Sequence, residues 1–202
     1  NMKTVFTFDI GNSHPHVGIF HDENLHKVIP FESFQKEYSL TETVDCSIMS
    51  QVGELPRIIK QYHSPPPEIR QLRSGDYLVD MPIHYAPTLG PDRLVQSYYL
   101  FHQIKEEETI IALIDAGTFT TIDVISSKGF MGGLIFPGPN TLLESYRRGH
   151  HLPQLKDEHL SSPEKISLLP QTTDDAILVA TQLMLSGMIH QTFQHLLADQ
   201  GI

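Results

Sequence analysis

Two stretches of this chain share one pattern, and the repetition restricts the fold more than any other feature. Residues 3–20 read KTVFTFDIGNSHPHVGIF and residues 110–125 read IIALIDAGTFTTIDVI. In each, a strand-like run ends in an aspartate, Asp9 or Asp115, passes a glycine turn with polar residues, and re-enters a strand. Each pair is followed by a further turn, at Asp22–Asn24 or Ser127–Gly129, and by a third strand, over 25–31 or 130–136. An internal duplication of such a three-strand unit would bring two equivalent turns face to face across a cleft.

The remaining pattern supplies helices and one more strand. Val44–Met49 is a short apolar strand, and residues 52–62 place Leu55, Ile58, Ile59 and Tyr62 on one helical face. Ser64–Pro67 breaks the chain, and Tyr77–Met81 is a candidate strand. Residues 91–104 and 139–148 read as helices, and 150–171 as polar, proline-containing loop. Residues 173–197 carry the longest three-four apolar spacing, with Thr172 or Thr173 as cap and Asp174 and Asp175 in the first turn. Gly187 inside that helix costs about 1 kcal/mol relative to alanine, which either is tolerated or permits close approach of another helix.

Composition narrows the function. The 202 residues are 40% hydrophobic, ordinary for a globular chain with ample core. A net charge of −10 argues against a nucleic-acid surface, which needs clustered Lys and Arg. The single cysteine, Cys46, excludes an intrachain disulfide and a cysteine metal cluster, and favours the cytoplasm. The 12 histidines are scattered without an HExxH pair, so surface positions outweigh a zinc site. No apolar run approaches the roughly 20 residues of a membrane span, and no signal pattern opens the chain. Asn1, preceding Met2, is read as an added residue.

A strand-ending Asp-x-Gly turn suits nucleotide phosphates once a cation is included. Glycine lets the backbone approach, successive N–H groups form an anion nest, and the carboxylate holds the cation or its waters. One such turn is also ordinary hairpin chemistry; two in equivalent positions favour function. Gly90–Arg93 (GPDR) sits at a loop-to-helix junction, with Pro91 suited to the first helical position. There Asp92 either complements the helix dipole or acts as a general base beside a phosphate donor, with Arg93 as an electrostatic or structural partner. Gly132–Gly133 and Pro137–Gly138 imply a bulge or close backbone approach and then a turn.

Taken together, DIGNS (9–13), SQV (50–52), TLGPDR (88–93), DAGTFTTID (115–123), GGLIFPG (132–138) and the helical TDDAI with SGMI (173–189) resemble the type III pantothenate kinases, of the acetate/sugar kinase–Hsp70–actin superfamily. The motifs occur in family order across almost the whole chain. The resemblance implies an α/β fold of two ribonuclease-H-like, actin-like ATPase lobes with mixed sheets flanked by helices, divided as 2–104 and 105–202. It implies ATP-dependent phosphorylation of pantothenate, the first step towards coenzyme A, with Mg²⁺ and a monovalent cation, K⁺ or NH₄⁺. The first phosphate loop would be Asp9, Ile10, Gly11, Asn12, Ser13, His14, Pro15 and His16, with Asp9 also catalytic and Thr118 in the second loop. Asp115 would bind the monovalent cation. Tyr85, Gly90, Pro91, Asp92 and Arg93 would bind pantothenate, with Asp92 as proton acceptor, and Thr173 would complete the pocket across a homodimer interface. The implied protein is cytoplasmic, with neither nucleic-acid nor membrane partners.

Three departures accompany the resemblance. Ser13 stands for a threonine and keeps its hydroxyl, while Pro15 removes a backbone donor from the first loop. The family continues past the long helix through a glycine-rich Thr-Gly-Gly segment, and none follows here, so the second lobe would be incomplete. A catalytically weak or inactive accessory protein is the alternative these departures favour.

Overall fold

The computed structural model describes residues 2–11, 14–38, 46–51, 69–72, 80–156, 159–160 and 167–199. They form a mixed α/β fold with two sheets and flanking helices. In chain order the strands are β1 (Thr4–Ile10), β2 (His16–His21), β3 (Asn24–Pro30), β4 (Cys46–Gln51), β5 (Ile69–Leu72), β6 (Ile110–Ala116), β7 (Phe119–Ser126) and β8 (Gly129–Pro137). The helices are α1 (Phe31–Glu37), α2 (Pro91–Phe101), α3 (Pro139–Ser145), which ends in a 3₁₀ turn at Tyr146–Arg148, and α4 (Thr173–Asp199).

The first sheet has the order β3-β2-β1-β4-β5, with β1 antiparallel to β2 and parallel to β4. The second has the order β6-β7-β8, so both anticipated three-strand units place consecutive strands side by side. Two differences from the sequence reading concern the first sheet. The third strand stops at Pro30, and Phe31 instead begins α1, where it is buried. The four-residue β5, parallel to β4, was not anticipated. The helix expected over 52–62 and the start of the strand expected over Tyr77–Met81 lie outside the described residues; Asp80 and Met81 form a turn and bend.

Two compact units divide the chain: Asn1–Ala112 with Asp123–Gly132, and Leu113–Ile122 with Gly133–Ile202. In the first, alternation along β1 sends Phe6, Phe8 and Ile10 into the core while Thr7 and Asp9 point the other way. Those three pack with Val17, Ile19, Ile29, Phe31, Phe34 and Met49. Phe34 is the hub, with ring centroids 5.0 Å from Phe6, 5.6 Å from Phe8 and 5.3 Å from Tyr38. These spacings fall in the range where aromatic pairs add about 0.5–1.5 kcal/mol beyond burial. A smaller cluster of Met81, Leu89, Leu94 and Phe130 lies in the same unit.

In the second unit, Leu143, Leu155 and Ile177 join α3 to the start of α4. Thr172 caps α4: its Oγ1 accepts the Asp175 N–H at 3.1 Å and donates to Asp175 Oδ2 at 2.7 Å. This helix corrects the reading that no segment approaches a membrane span. Residues Thr173–Ala198 pass the test of length and composition, with a window mean hydropathy of 1.2. Thr181, Gln182, Ser186, His190 and Gln191 interrupt it, and Leu183, Met184, Met188, Phe193 and Leu197 are exposed. A Cβ at Gly187 would meet nothing within 4 Å, so no neighbour among the described residues requires that glycine.

Replacing Phe34 by alanine should cost about 3–5 kcal/mol, as for other buried aromatics. Urea unfolding should show a lower midpoint with an unchanged slope; a stability loss under about 1 kcal/mol would show that the first sheet does not depend on this hub.

Candidate functional site

Three chain segments carry the residues singled out by motif. The first is the end of β1. Asp9 is exposed, on the face opposite the aromatic core, in register with His16 on β2 and Ser50 on β4. The carboxylate therefore stands at the carboxyl end of parallel strands, where open α/β sheets bind ligands. Ile10 is buried, Gly11 and Pro15 are partly exposed, and His14 is exposed. Asn12 and Ser13 lie outside the described residues. Pro15 donates nothing, but its carbonyl accepts the Phe31 N–H at 2.9 Å and so ties the turn to α1.

The second segment is the loop into α2. Pro91 takes the first helical position behind Gly90, and Leu94 N–H closes the first turn on the Gly90 carbonyl at 3.0 Å. Asp92, in that first turn, lies where the helix dipole favours negative charge. Its carboxylate folds back over Gly90: a Cβ there would sit 2.5 Å from Asp92 Oδ1. Glycine at position 90 thus leaves the space the carboxylate occupies.

Arg93 points inward and is only 6% exposed. Its Nε donates to Asp123 Oδ1 and Oδ2 at 3.0 and 3.1 Å, and its NH2 donates to Oδ1. Asp123, on β7, is fully buried. The guanidinium carbon lies 5.3 Å from the Tyr85 ring centroid and 5.7 Å from that of Phe130. Burial opposes the guanidinium charge, but hydrogen bonds to Asp123 and Tyr85 outweigh it and raise the pKa above its ordinary value. Tyr85 and Arg93 are therefore brought together, and Tyr85 keeps an exposed edge, at 36%. Asp123 closes the DAGTFTTID motif without a role assigned from sequence, and Phe130 lies outside every quoted motif. The available signal was a carboxylate inside the strand run TTIDVI, which demands a cationic partner once buried.

The third segment is the turn after β6. Asp115 is exposed and Thr118 partly so. The Thr118 carbonyl accepts the Gly138 N–H at 2.9 Å and the Thr141 hydroxyl at 2.5 Å. A Cβ at Gly138 would lie 1.9 Å from the Gly117 carbonyl oxygen, so Pro137–Gly138 is the close approach implied by its composition. Gly132 instead needs glycine for its φ of +130°. Thr173 is exposed in the first turn of α4, beside the capping Thr172.

Hard, exposed carboxylates of this kind fit Mg²⁺ or a monovalent cation. Among the described residues no group of three or more His, Cys, Asp or Glu gathers around one point. Mg²⁺ needs none, being held by one or two carboxylates, waters and substrate phosphates.

A family model described as type III pantothenate kinase matches residues 5–195, which include all three segments of the candidate site. A type III pantothenate kinase of Desulfovibrio desulfuricans is 42% identical over 60 residues, covering 30% of this chain and 22% of that protein. One from Methylacidiphilum infernorum is 27% identical over 209 positions, covering 96% of this chain and 72% of that protein. The chain thus spans between 22% and 72% of the length of these curated relatives. A Campylobacter jejuni crystal structure, described as a conserved Baf family transcriptional activator, shares the fold. Its TM-score is 0.55 at 23% identity, over 92% of this chain and 78% of that one.

Two substitutions test the local geometry. Asp123→Leu alone leaves the Arg93 guanidinium buried and unpaired, and should cost about 3–5 kcal/mol in denaturant unfolding; a loss below about 1 kcal/mol would show that the pair is dispensable. Gly138→Ala should cost about 1–3 kcal/mol by overpacking, because backbone rather than a movable side chain blocks the methyl group. A variant with wild-type stability would mean that the 115–118 turn shifts freely.

Proposed function

The chain belongs to the type III pantothenate kinase family, and from that premise we propose that it transfers the γ-phosphoryl group of ATP to the hydroxyl of pantothenate, the first step of coenzyme A synthesis. The observation that carries the reading is Asp92, held at the first turn of α2 with its carboxylate over Gly90. Phosphoryl transfer asks the protein mainly for positioning, charge neutralisation and a group to take the attacking proton.

In this reading the lobes are residues 2–104 and 105–202, each ribonuclease-H-like. Pantothenate lies against Tyr85 and Gly90–Arg93, and Asp92 accepts its hydroxyl proton. The oxygen forms its bond to the γ-phosphorus as the bond to the ADP oxygen breaks. The turn Asp9–His16 and Thr118 hold the phosphates through backbone and side-chain donors. Asp9 and Asp115 offer the oxygen ligands for Mg²⁺ and a monovalent cation, which neutralise phosphate charge when bound. Thr173 completes the pantothenate pocket from a second subunit, and the exposed Leu183, Met184 and Met188 of α4 support a homodimer through that helix. In this reading the protein is cytoplasmic.

A second reading, a catalytically weak family member with an accessory role, is favoured by Pro15, which lacks a donor within the first turn. ADP release with and without pantothenate separates the two. Pantothenate-dependent release supports the kinase; nucleotide binding without turnover supports the alternative, and release that ignores pantothenate counts against pantothenate as the substrate. Asp92→Asn should keep the fold and lower kcat by about 10²–10⁴-fold, the usual contribution of a general base. Undiminished turnover in that variant would remove Asp92 from the mechanism.

A further inference from the structure

Four residues from four separate segments converge on one buried charge. Tyr85 comes from the loop that precedes α2, Arg93 from α2, Asp123 from β7 and Phe130 from β8. Phe130 is fully buried, and its ring meets that of Tyr85 edge to face at 5.7 Å and 86°. The guanidinium lies against both rings and is forked onto Asp123. Tyr85 and Arg93 bracket residues 86–92, which contain Gly90 and Asp92. The bracketed loop is held from before by Phe130, which exchanges backbone hydrogen bonds with Pro82 and His84, each 2.9 Å.

We propose that Asp123 is a positioning residue for the substrate pocket, acting through Arg93 on the Tyr85 ring and on the first turn of α2 that carries Asp92. The guanidinium turns inward with Nε and NH2 committed to Asp123. Its contribution to the pocket is therefore to fix what stands on either side of it. A fork-shaped cation suits this task, because two donors on one carboxylate set orientation as well as distance. A buried pair can often be replaced by apolar residues of similar volume without loss of stability, so stability alone does not account for it. What an apolar pair cannot supply is the fork onto one carboxylate, or a cation facing the Tyr85 ring.

The substrate half of this inference rests on the kinase reading, and the loop half does not. The test uses the full chain with Arg93→Met/Asp123→Leu, an apolar pair, compared with wild type. At a thermal midpoint near wild type, hydrogen exchange should quicken at least tenfold at the amides of Leu89 and Leu94. Both are hydrogen-bonded in the wild-type loop and first turn. The pantothenate KM should rise at least tenfold while the ATP KM stays within about twofold. Wild-type exchange at both amides, or a wild-type pantothenate KM, in a folded double variant would overturn the proposal. Tyr85→Leu removes the ring that the Arg93 guanidinium faces and serves if the double variant fails to fold. It should quicken exchange at Leu89 at an unchanged thermal midpoint, and unchanged exchange would overturn the proposal equally. Should wild type itself release no ADP in response to pantothenate, the kinase reading fails, and the exchange measurements still decide the clamp.

Discussion

Taking an arginine and a carboxylate out of water is expensive, and the Arg93–Asp123 pair offsets that cost through forked hydrogen bonds. The Arg93–Asp123 pair links residues 30 positions apart through two guanidinium nitrogens, in surroundings of aromatic carbon. An effective dielectric far below that of water strengthens the attraction, and equally magnifies the penalty for any geometry that leaves one charge alone. With either partner removed, the other charge is left buried and unpaired, which is strongly unfavourable. The loop before α2, the start of that helix and the middle of β7 are thereby made to agree on one arrangement.

The second unit solves a similar problem with backbone rather than charge. The Thr118 carbonyl receives two donors, one from the Gly138 amide and one from the Thr141 hydroxyl. The turn after β6 is thus buttressed by the start of α3, and the missing side chain at position 138 permits the contact. The turn after β1 is tied elsewhere, through the Pro15 carbonyl to α1. The two turns look alike in sequence, and each is braced by a different helix.

Legibility in the sequence followed the range over which the deciding forces act. The apolar run KTVFTFDI is a local signal and β1 could be read from it, whereas the outward direction of Asp9 emerged only with the alternating burial of Phe6, Phe8 and Ile10. The three-four spacing of α4 and the Thr172 cap were likewise visible, because caps and apolar stripes are written within a few residues. FESFQKE, by contrast, has seven residues and two aromatics, too few to reveal a period. Phe31 reads as the continuation of a strand, and only packing against Phe8 and Phe34 turns it into a helix start. The strand IRQL exists because β4 offers it a parallel edge. Asp123 stayed hidden for the same reason: its meaning depends on a partner that periodicity cannot name. GPDR and DAGT could be read as candidate chemistry from neighbouring residues alone, while the buried partner of Arg93 could not.

Pro15 has a further consequence, which concerns disorder rather than donors. Its ring removes one backbone rotation from the unfolded chain as well as the folded one, and its carbonyl is already engaged by Phe31. If that turn holds phosphates as proposed, part of the ordering entropy is spent during folding, so less is withdrawn from binding. The residue that subtracts a hydrogen bond from the turn also makes it stiffer before anything is bound, trading enthalpy of contact for preorganisation.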